Sequence, residues 1–181
     1  MLLPAEKLQP IDIDKFVEWV LLQVENKPVP IGSFILLDVN DFDQFSQEHM
    51  VNAFHYERIL LTRHVYETPI LREARIGNHA IVVYGREAER VSDVLFQRGY
   101  KTVLLRGNLA NYRESYPCLL EPELDYVKLR EAFDKKRSSV FGGRLWRSTS
   151  ASRLKSVSRE ERAVRSKKTM SAPKNTKKPW L

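Results

Sequence analysis

Two uninterrupted apolar runs, Ala80–Tyr84 (AIVVY) and residues 102–105 (TVLL), flank a stretch in which Ala88, Val91, Val94 and Leu95 recur at helical spacing. A strand that is apolar at every position is covered on both of its faces, and a helix between two such strands returns the chain to the same end of the sheet. The pattern therefore predicts a βαβ unit with a right-handed crossover and a parallel sheet. Gly99 stands where a helix C-terminus needs a left-handed residue.

The remaining periodicities extend this plan. Residues 33–39 (SFILLDV) read as another central strand, closed by Asp38. Before it, Ile13, Phe16, Val17, Val20, Leu21 and Val24 share one face of a helix over 12–26, which Asp12 or Asp14 would cap. Residues 41–49 are polar and helix-compatible, 53–56 suit a short strand, and 108–116 form a helix before Pro117. A last amphipathic helix over 123–136 places Tyr126, Leu129 and Phe133 together. The expected fold is α/β, a parallel sheet with helices on both faces, followed by a basic irregular tail. Its divisions are a helical lead-in (1–32), the α/β domain (33–122), a C-terminal helix (123–136) and an extended Ser/Lys/Arg-rich tail (137–181).

Charge changes sign near Lys135. Residues 135–181 hold 15 of the 30 Lys and Arg but only 2 of the 23 acids, Glu160 and Glu161, so the overall +7 describes neither part. The 15 basic and 21 acidic residues that precede Lys135 make that part acidic. Such a cationic segment is suited to a polyanion: acidic protein tails, nucleic acid or a membrane surface. The single Cys118 cannot close an internal disulfide or build a zinc site alone, which implies a reducing compartment. No apolar run reaches the ~20 residues that span a bilayer, and the acid-containing N-terminus reads as neither a signal nor a transit peptide.

Several spaced residues resemble the rhodanese-like domain. In that family a strand ends in Asp-Val-Arg, a short helix carries Glu-Tyr, and His-Ile-x-Gly-Ala leads to the next strand. Here DVNDFDQFSQEHMVNA keeps Asp38, Val39, Phe45, His49 and Ala53, with Asn40 in place of Arg, Gln44 in place of Glu and Asn52 in place of Gly. Downstream, AIVVYGREAERVSDVLFQRGYKTVLLRGNL is similar to the family's strand, active-site loop, helix, cap, strand and Gly-Gly turn. Gly99, Tyr100 and Gly107 fit, and Asn108 replaces the second Gly. The resemblance covers residues 34–122.

The departures bear on function. The resemblance implies a loop made of Gly85, Arg86, Glu87, Ala88, Glu89 and Arg90, in which a catalytic member of the family carries cysteine at the position of Gly85. A thiolate over a ring of N–H groups at a helix start is both activated and able to carry a persulfide. Glycine has no nucleophile, and none of the other five positions supplies Cys, Ser or Thr, so no catalytic residue is assigned and no enzyme activity is expected. Cys118 lies beyond the following strand and helix and reads as structural. An anion between Arg86 and Arg90 is opposed by Glu87 and Glu89, which favours a solvated loop with local ion pairs. His49 is a structural residue in the family. His49, His55, His64 and His79 show no metal-ligand spacing, and no cofactor, metal or small-molecule substrate is expected.

Two non-catalytic branches of the family compete. The spacing from Asp38 through Ile70 and Leu71 to Tyr84, with Glu89 and Arg90 closing the loop, resembles the centrosomal branch associated with cilia and tubulin glutamylation. The segment LLRGNLANYRESYPCLLEP resembles the docking domain of MAP-kinase phosphatases, which implies a kinase- or phosphatase-docking module. The first branch implies a scaffold of cilia, flagella or microtubules, located in the cytoplasm, at the cytoskeleton, the axoneme or the basal body. Its partner-binding residues would be Lys135, Lys136, Arg137, Arg144, Arg147, Arg153, Lys155, Lys167, Lys168, Lys177 and Lys178, with Trp146 and Trp180 as apolar anchors. Tubulin or axonemal proteins are the expected partners, and no membrane is. RNA in a ribonucleoprotein assembly is the third reading, since phosphates attract the same cations. Ser148, Ser150, Ser156 and Ser158 lie among those cations, where phosphorylation would cancel charge.

Overall fold

The structure is a computed structural model that describes residues 8–63 and 66–153, with side chains as far as residue 139. The chain divides after Arg137. In the first unit, strands β1 (Phe34–Asp38), β2 (Ala53–His55), β3 (Ala80–Tyr84) and β4 (Thr102–Leu104) form one parallel sheet in the order β2-β1-β3-β4. The α/β expectation holds. The two central strands, β1 and β3, carry continuous apolar runs because they are flanked and covered on every side, and the apolar run of the edge strand β4 is covered as well.

Among the described residues, six α-helices accompany the sheet: α1 (Ile13–Val24), α2 (Phe42–Gln47), α3 (Pro69–Ile76), α4 (Ala88–Gln97), α5 (Leu109–Ser115) and α6 (Tyr126–Arg153). Side chains alternate along each strand, so the sheet feeds two cores. Leu36, Val82, Tyr84 and Val103 pack with Phe16 and Val17 of α1, Tyr112 of α5, and Leu129 and Phe133 of α6. Leu37, Ile81 and Val83 face the other way, onto Leu71 and Ala74 of α3 and Val91 and Leu95 of α4. Each fully buried aliphatic chain stabilises the fold by roughly 1.5–3 kcal/mol relative to exposure.

Local chemistry explains the element ends. Asp12 caps α1 by accepting the Lys15 N–H at 3.0 Å, which settles the choice between Asp12 and Asp14. Gly99, at φ +88°, ends α4. Two departures from the family pattern preserve the backbone. Asn52 adopts φ +61°, which asparagine tolerates better than other side-chain-bearing residues. Asn108 opens α5 with a reciprocal capping box to Asn111, so the missing second glycine is replaced by a helix start.

Some expectations change. Within the lead-in, Ile11 makes an isolated parallel bridge beside β4, donating to the Leu104 carbonyl at 2.9 Å and accepting from Arg106 at 2.8 Å. On α1, Trp19 is buried while Val24, expected inside, is 42% exposed. Helix α3 carried no strong periodic signal because only Leu71 and Ala74 of its residues are buried. The C-terminal helix begins at Tyr126 rather than 123, and Tyr126 is half-exposed while Leu129 and Phe133 are buried. Helix α6 also continues to Arg153, past the residue 136 at which the pattern placed its end. Of residues 138–181, those to Arg153 are helical, and no helix among the described residues is long and apolar enough to cross a membrane.

Candidate functional site

The loop after β3 is the natural place to look, because a cleft at the carboxyl ends of parallel strands collects backbone N–H groups and helix starts. Gly85 takes φ +114° and Glu87 the left-handed conformation at φ +56°, and α4 begins at Ala88. The side chain of Asn40, which follows β1, reaches across to this loop and accepts the Arg86 N–H on Oδ1 at 2.9 Å. A Cβ placed on Gly85 would stand 2.9 Å from both Cγ and Oδ1 of Asn40 and 3.0 Å from its backbone nitrogen. Residues 85 and 40, two of the positions that depart from the pattern the sequence resembles, thus meet in space. Asn40 fills the space a cysteine needs and occupies an N–H that an oxyanion would use. Their separation of 45 positions in the chain hid this pairing from any local reading.

The charges of the loop close on one another. Asp41 accepts from Arg58 and, at 3.0 Å, from Arg86, while Glu87 pairs with Arg58 at 3.0 Å and Arg90 at 3.6 Å. The Arg58 hydrogen bond, aided by Arg86, outweighs desolvation and holds the Asp41 carboxyl below its ordinary value. This is the ion-paired loop that the sequence favours over an anion site, with Asp41 and Arg58 as participants no motif had marked.

The other candidate groups are committed to packing. His49 stacks on Phe45 at 4.2 Å and its Nδ1 is 2.8 Å from the Phe45 carbonyl, the structural role expected of it. His55 Nε2 lies 3.0 Å from the Asn40 carbonyl and His79 bonds Ser33. His64 lies outside the described residues. Cys118 is buried in the core around α1, where burial pushes its thiol above the ordinary range and keeps it protonated.

The basic residues divide three ways. Lys136 donates to Asp14 Oδ1 at 2.7 Å and lies 5.1 Å over the Tyr116 ring, while Tyr116 donates to the same oxygen at 2.6 Å. Burial alone would raise the Asp14 carboxyl, but these two hydrogen bonds outweigh it and hold it below the ordinary value. Lys136 therefore joins α6 to α1. Arg137 lies 5.6 Å over the Phe133 ring, and Lys135 is exposed. Arg144, Trp146, Arg147 and Arg153 fall within α6 beyond the described side chains, whereas Lys155, Lys167, Lys168, Lys177, Lys178 and Trp180 lie outside the described residues.

No family model matches the chain. Curated proteins do: the Centrosomal protein of 41 kDa of Bos taurus and that of Homo sapiens are each 30% identical over 114 residues, covering 59% of this chain and 31% of the relative. The Gallus gallus protein of the same name is 30% identical over 101 residues, covering 52% and 28%. The chain spans about a third of the length of the curated relatives it matches. Through the matched region, the chain is similar to the Centrosomal protein of 41 kDa.

Proposed function

We propose that this chain is a non-catalytic rhodanese-like component of the centrosome, basal body or cilium, which holds protein partners rather than transforming a substrate. The observation that carries the non-catalytic part is the seat of Gly85: no nucleophile stands there, and Asn40 occupies the volume one would need. The relatives' name, Centrosomal protein of 41 kDa, supports the centrosomal and cytoskeletal setting.

The finer reading gives the basic C-terminal segment to the acidic surface of microtubules. Its support is composition: from Lys135 onward the cations outnumber the acids by 15 to 2, too many for internal pairing, and apolar anchors such as Trp146 and Trp180 are interspersed. Binding of this kind weakens with salt, because exposed charges are screened over about 8 Å at physiological ionic strength.

The test is co-sedimentation with microtubules, and with structured RNA in parallel, at two salt concentrations, for the full chain and for one ending at Arg137. Ending the chain there keeps Lys136 on Asp14. The reading expects salt-sensitive pelleting with microtubules that disappears on truncation. Equal pelleting by both chains removes the tail from the account and favours docking through the α/β unit, and preference for RNA favours the ribonucleoprotein reading. Sulfur transfer from thiosulfate to cyanide that is lost on alkylating Cys118 would overturn the non-catalytic part.

A further inference from the structure

We infer that the free edge of β2 is a self-association surface, at which two copies of this chain pair β2 with β2 in antiparallel fashion about a two-fold axis through Phe54. The sheet order β2-β1-β3-β4 leaves β2 paired on one side only. Tyr56 donates to the Asp38 carbonyl at 2.8 Å and is thereby turned toward β1. Backbone groups alternate along a strand, so those of Phe54 turn the same way and those of Ala53 and His55 point outward. The Ala53 N–H is held by the Met50 carbonyl at 3.0 Å. Among the described residues nothing bonds the His55 N–H or the carbonyls of Ala53 and His55, so the edge presents one donor and two acceptors. Edges that stay alone are commonly blunted by lysine, proline or a bulge. The register of β2 is unbroken, and residues 49–56 contain neither lysine nor proline.

Apolar side chains gather along the same edge. Among the described residues seven large apolar side chains are exposed, and five of them, Val24, Phe42, Phe54, Ile59 and Tyr126, border β2. Phe54 shares with Val24 and Tyr126 a hollow of about 400 Å³ whose walls carry no charged residue. Phe42 lies against His55 of β2 with ring centroids 5.5 Å apart, and Ile59 lines the hollow beside them. Clustering of this kind marks an interaction surface. Symmetry and charge name the occupant. A two-fold contact sets a surface against itself, which suits a surface without net charge. The 21 acids and 15 bases before Lys135 make this part of the chain acidic, so two copies repel least at residues 49–56, which hold no acid, lysine or arginine. With the axis at Phe54, the His55 N–H of each copy meets the Ala53 carbonyl of the other. The two Phe54 residues then form the close, non-hydrogen-bonded pair, with Cα atoms about 4.5 Å apart. Two bonds are few, so the apolar rim supplies most of the affinity.

The experiment is sedimentation velocity of the full chain over a concentration series at two salt concentrations. A dimer is expected with a Kd on the order of 10 µM, as befits a small interface, and it should persist at high salt because no exposed ion pair holds it. Phe54→Asp, at a side chain 48% exposed, sets two carboxylates face to face on the axis and is expected to weaken the dimer about tenfold or more at unchanged Tm. Ile76→Asp, 80% exposed on α3 and outside both hollows, is expected to leave it unchanged. Phe54→Cys is expected to give a disulfide between copies when diamide takes up the two thiol hydrogens, since a Cα separation of about 4.5 Å is within disulfide range, and Ile76→Cys is not. A chain that is monomeric throughout overturns the proposal and leaves the edge to a strand of another protein. A dimer that dissolves at high salt also overturns it, by assigning the contact to the basic segment. So does a Phe54→Asp chain that dimerises like the parent, or a Phe54→Cys chain that does not cross-link. The proposal draws nothing from the basic segment, so the microtubule reading stands or falls separately.

Discussion

The loop after β3, with Arg86 and Arg90, and the segment from Lys135 onward both carry cations, yet the two regions use cationic charge in opposite ways. At the loop, Arg86 and Arg90, with Arg58 from the segment after β2, each meet Asp41 or Glu87 within 4 Å, so the positive charge is consumed where it arises. From Lys135 onward the acids number two against 15 cations, and such a balance leaves charge for a partner. Lys136 sits at the border and behaves like the loop, since Asp14 and Tyr116 have already claimed it. Cationic density in a sequence thus signals a binding surface only after its local counter-charges are subtracted.

Four measurements would break or sharpen this contrast. The largest effect concerns the part of α6 that belongs to the α/β core. Leu129 is fully buried, and Leu129→Ala is expected to cost about 2–5 kcal/mol by denaturant unfolding. A change within about 0.5 kcal/mol would show that α6 is an appendage along its whole length.

The next concerns the locked loop. Gly85→Cys forces a side chain against Asn40 in a left-handed backbone, at an expected cost of about 1–3 kcal/mol, and is expected to show no thiosulfate sulfur transfer. Pairing it with Asn40→Gly should recover part of the stability. If the single variant is as stable as the parent and transfers sulfur, the lock is not real.

Third in size is the clamp between α1 and α6. Asp14 has a depressed carboxyl pKa, so its contribution is fully present above the ordinary aspartate value and is lost as pH falls through the lower folded value. Because Asp14 is 46% exposed, solvent screening limits Asp14→Asn to no more than about 1 kcal/mol at neutral pH. The variant should also flatten the dependence of Tm on pH on the acid side of about pH 4. An unchanged acid limb would remove Asp14 from the clamp.

The smallest effect separates the two uses of charge most directly. Arg86→Ala exposes no cavity and removes one solvent-screened pair, so it should change stability by less than about 0.5 kcal/mol. It should also leave microtubule pelleting intact, whereas reversal of Lys167 and Lys168 to Glu should weaken pelleting several-fold. Equal loss from both would join the loop to the binding surface.

Continuous apolarity made the central strands β1 and β3 legible, and the α4 periodicity with Gly99 supplied the crossover and hence the parallel sheet. What escaped were features whose cause is distant in the chain. Helix α3 has too few buried residues to print a period, and Trp19 is buried in a core assembled from distant elements, including Phe34 of β1 at a ring-centroid distance of 6.4 Å. At the loop, the absence of a thiol at Gly85 was plain from sequence, and so was the likelihood of opposed charges neutralising one another in GREAER.

Residue type and spacing along the chain determined the parallel α/β plan, the missing nucleophile and the separation of an acidic part from a basic one, because these depend on local propensity and composition. Only the tertiary structure decided that Asn40 closes the space at Gly85, that Arg58 and Asp41 complete the loop's ion pairs, and that Lys136 is spent on Asp14. Those outcomes depend on which groups the sheet brings within hydrogen-bond reach across 17 to 122 positions of sequence, a distance no periodicity can encode.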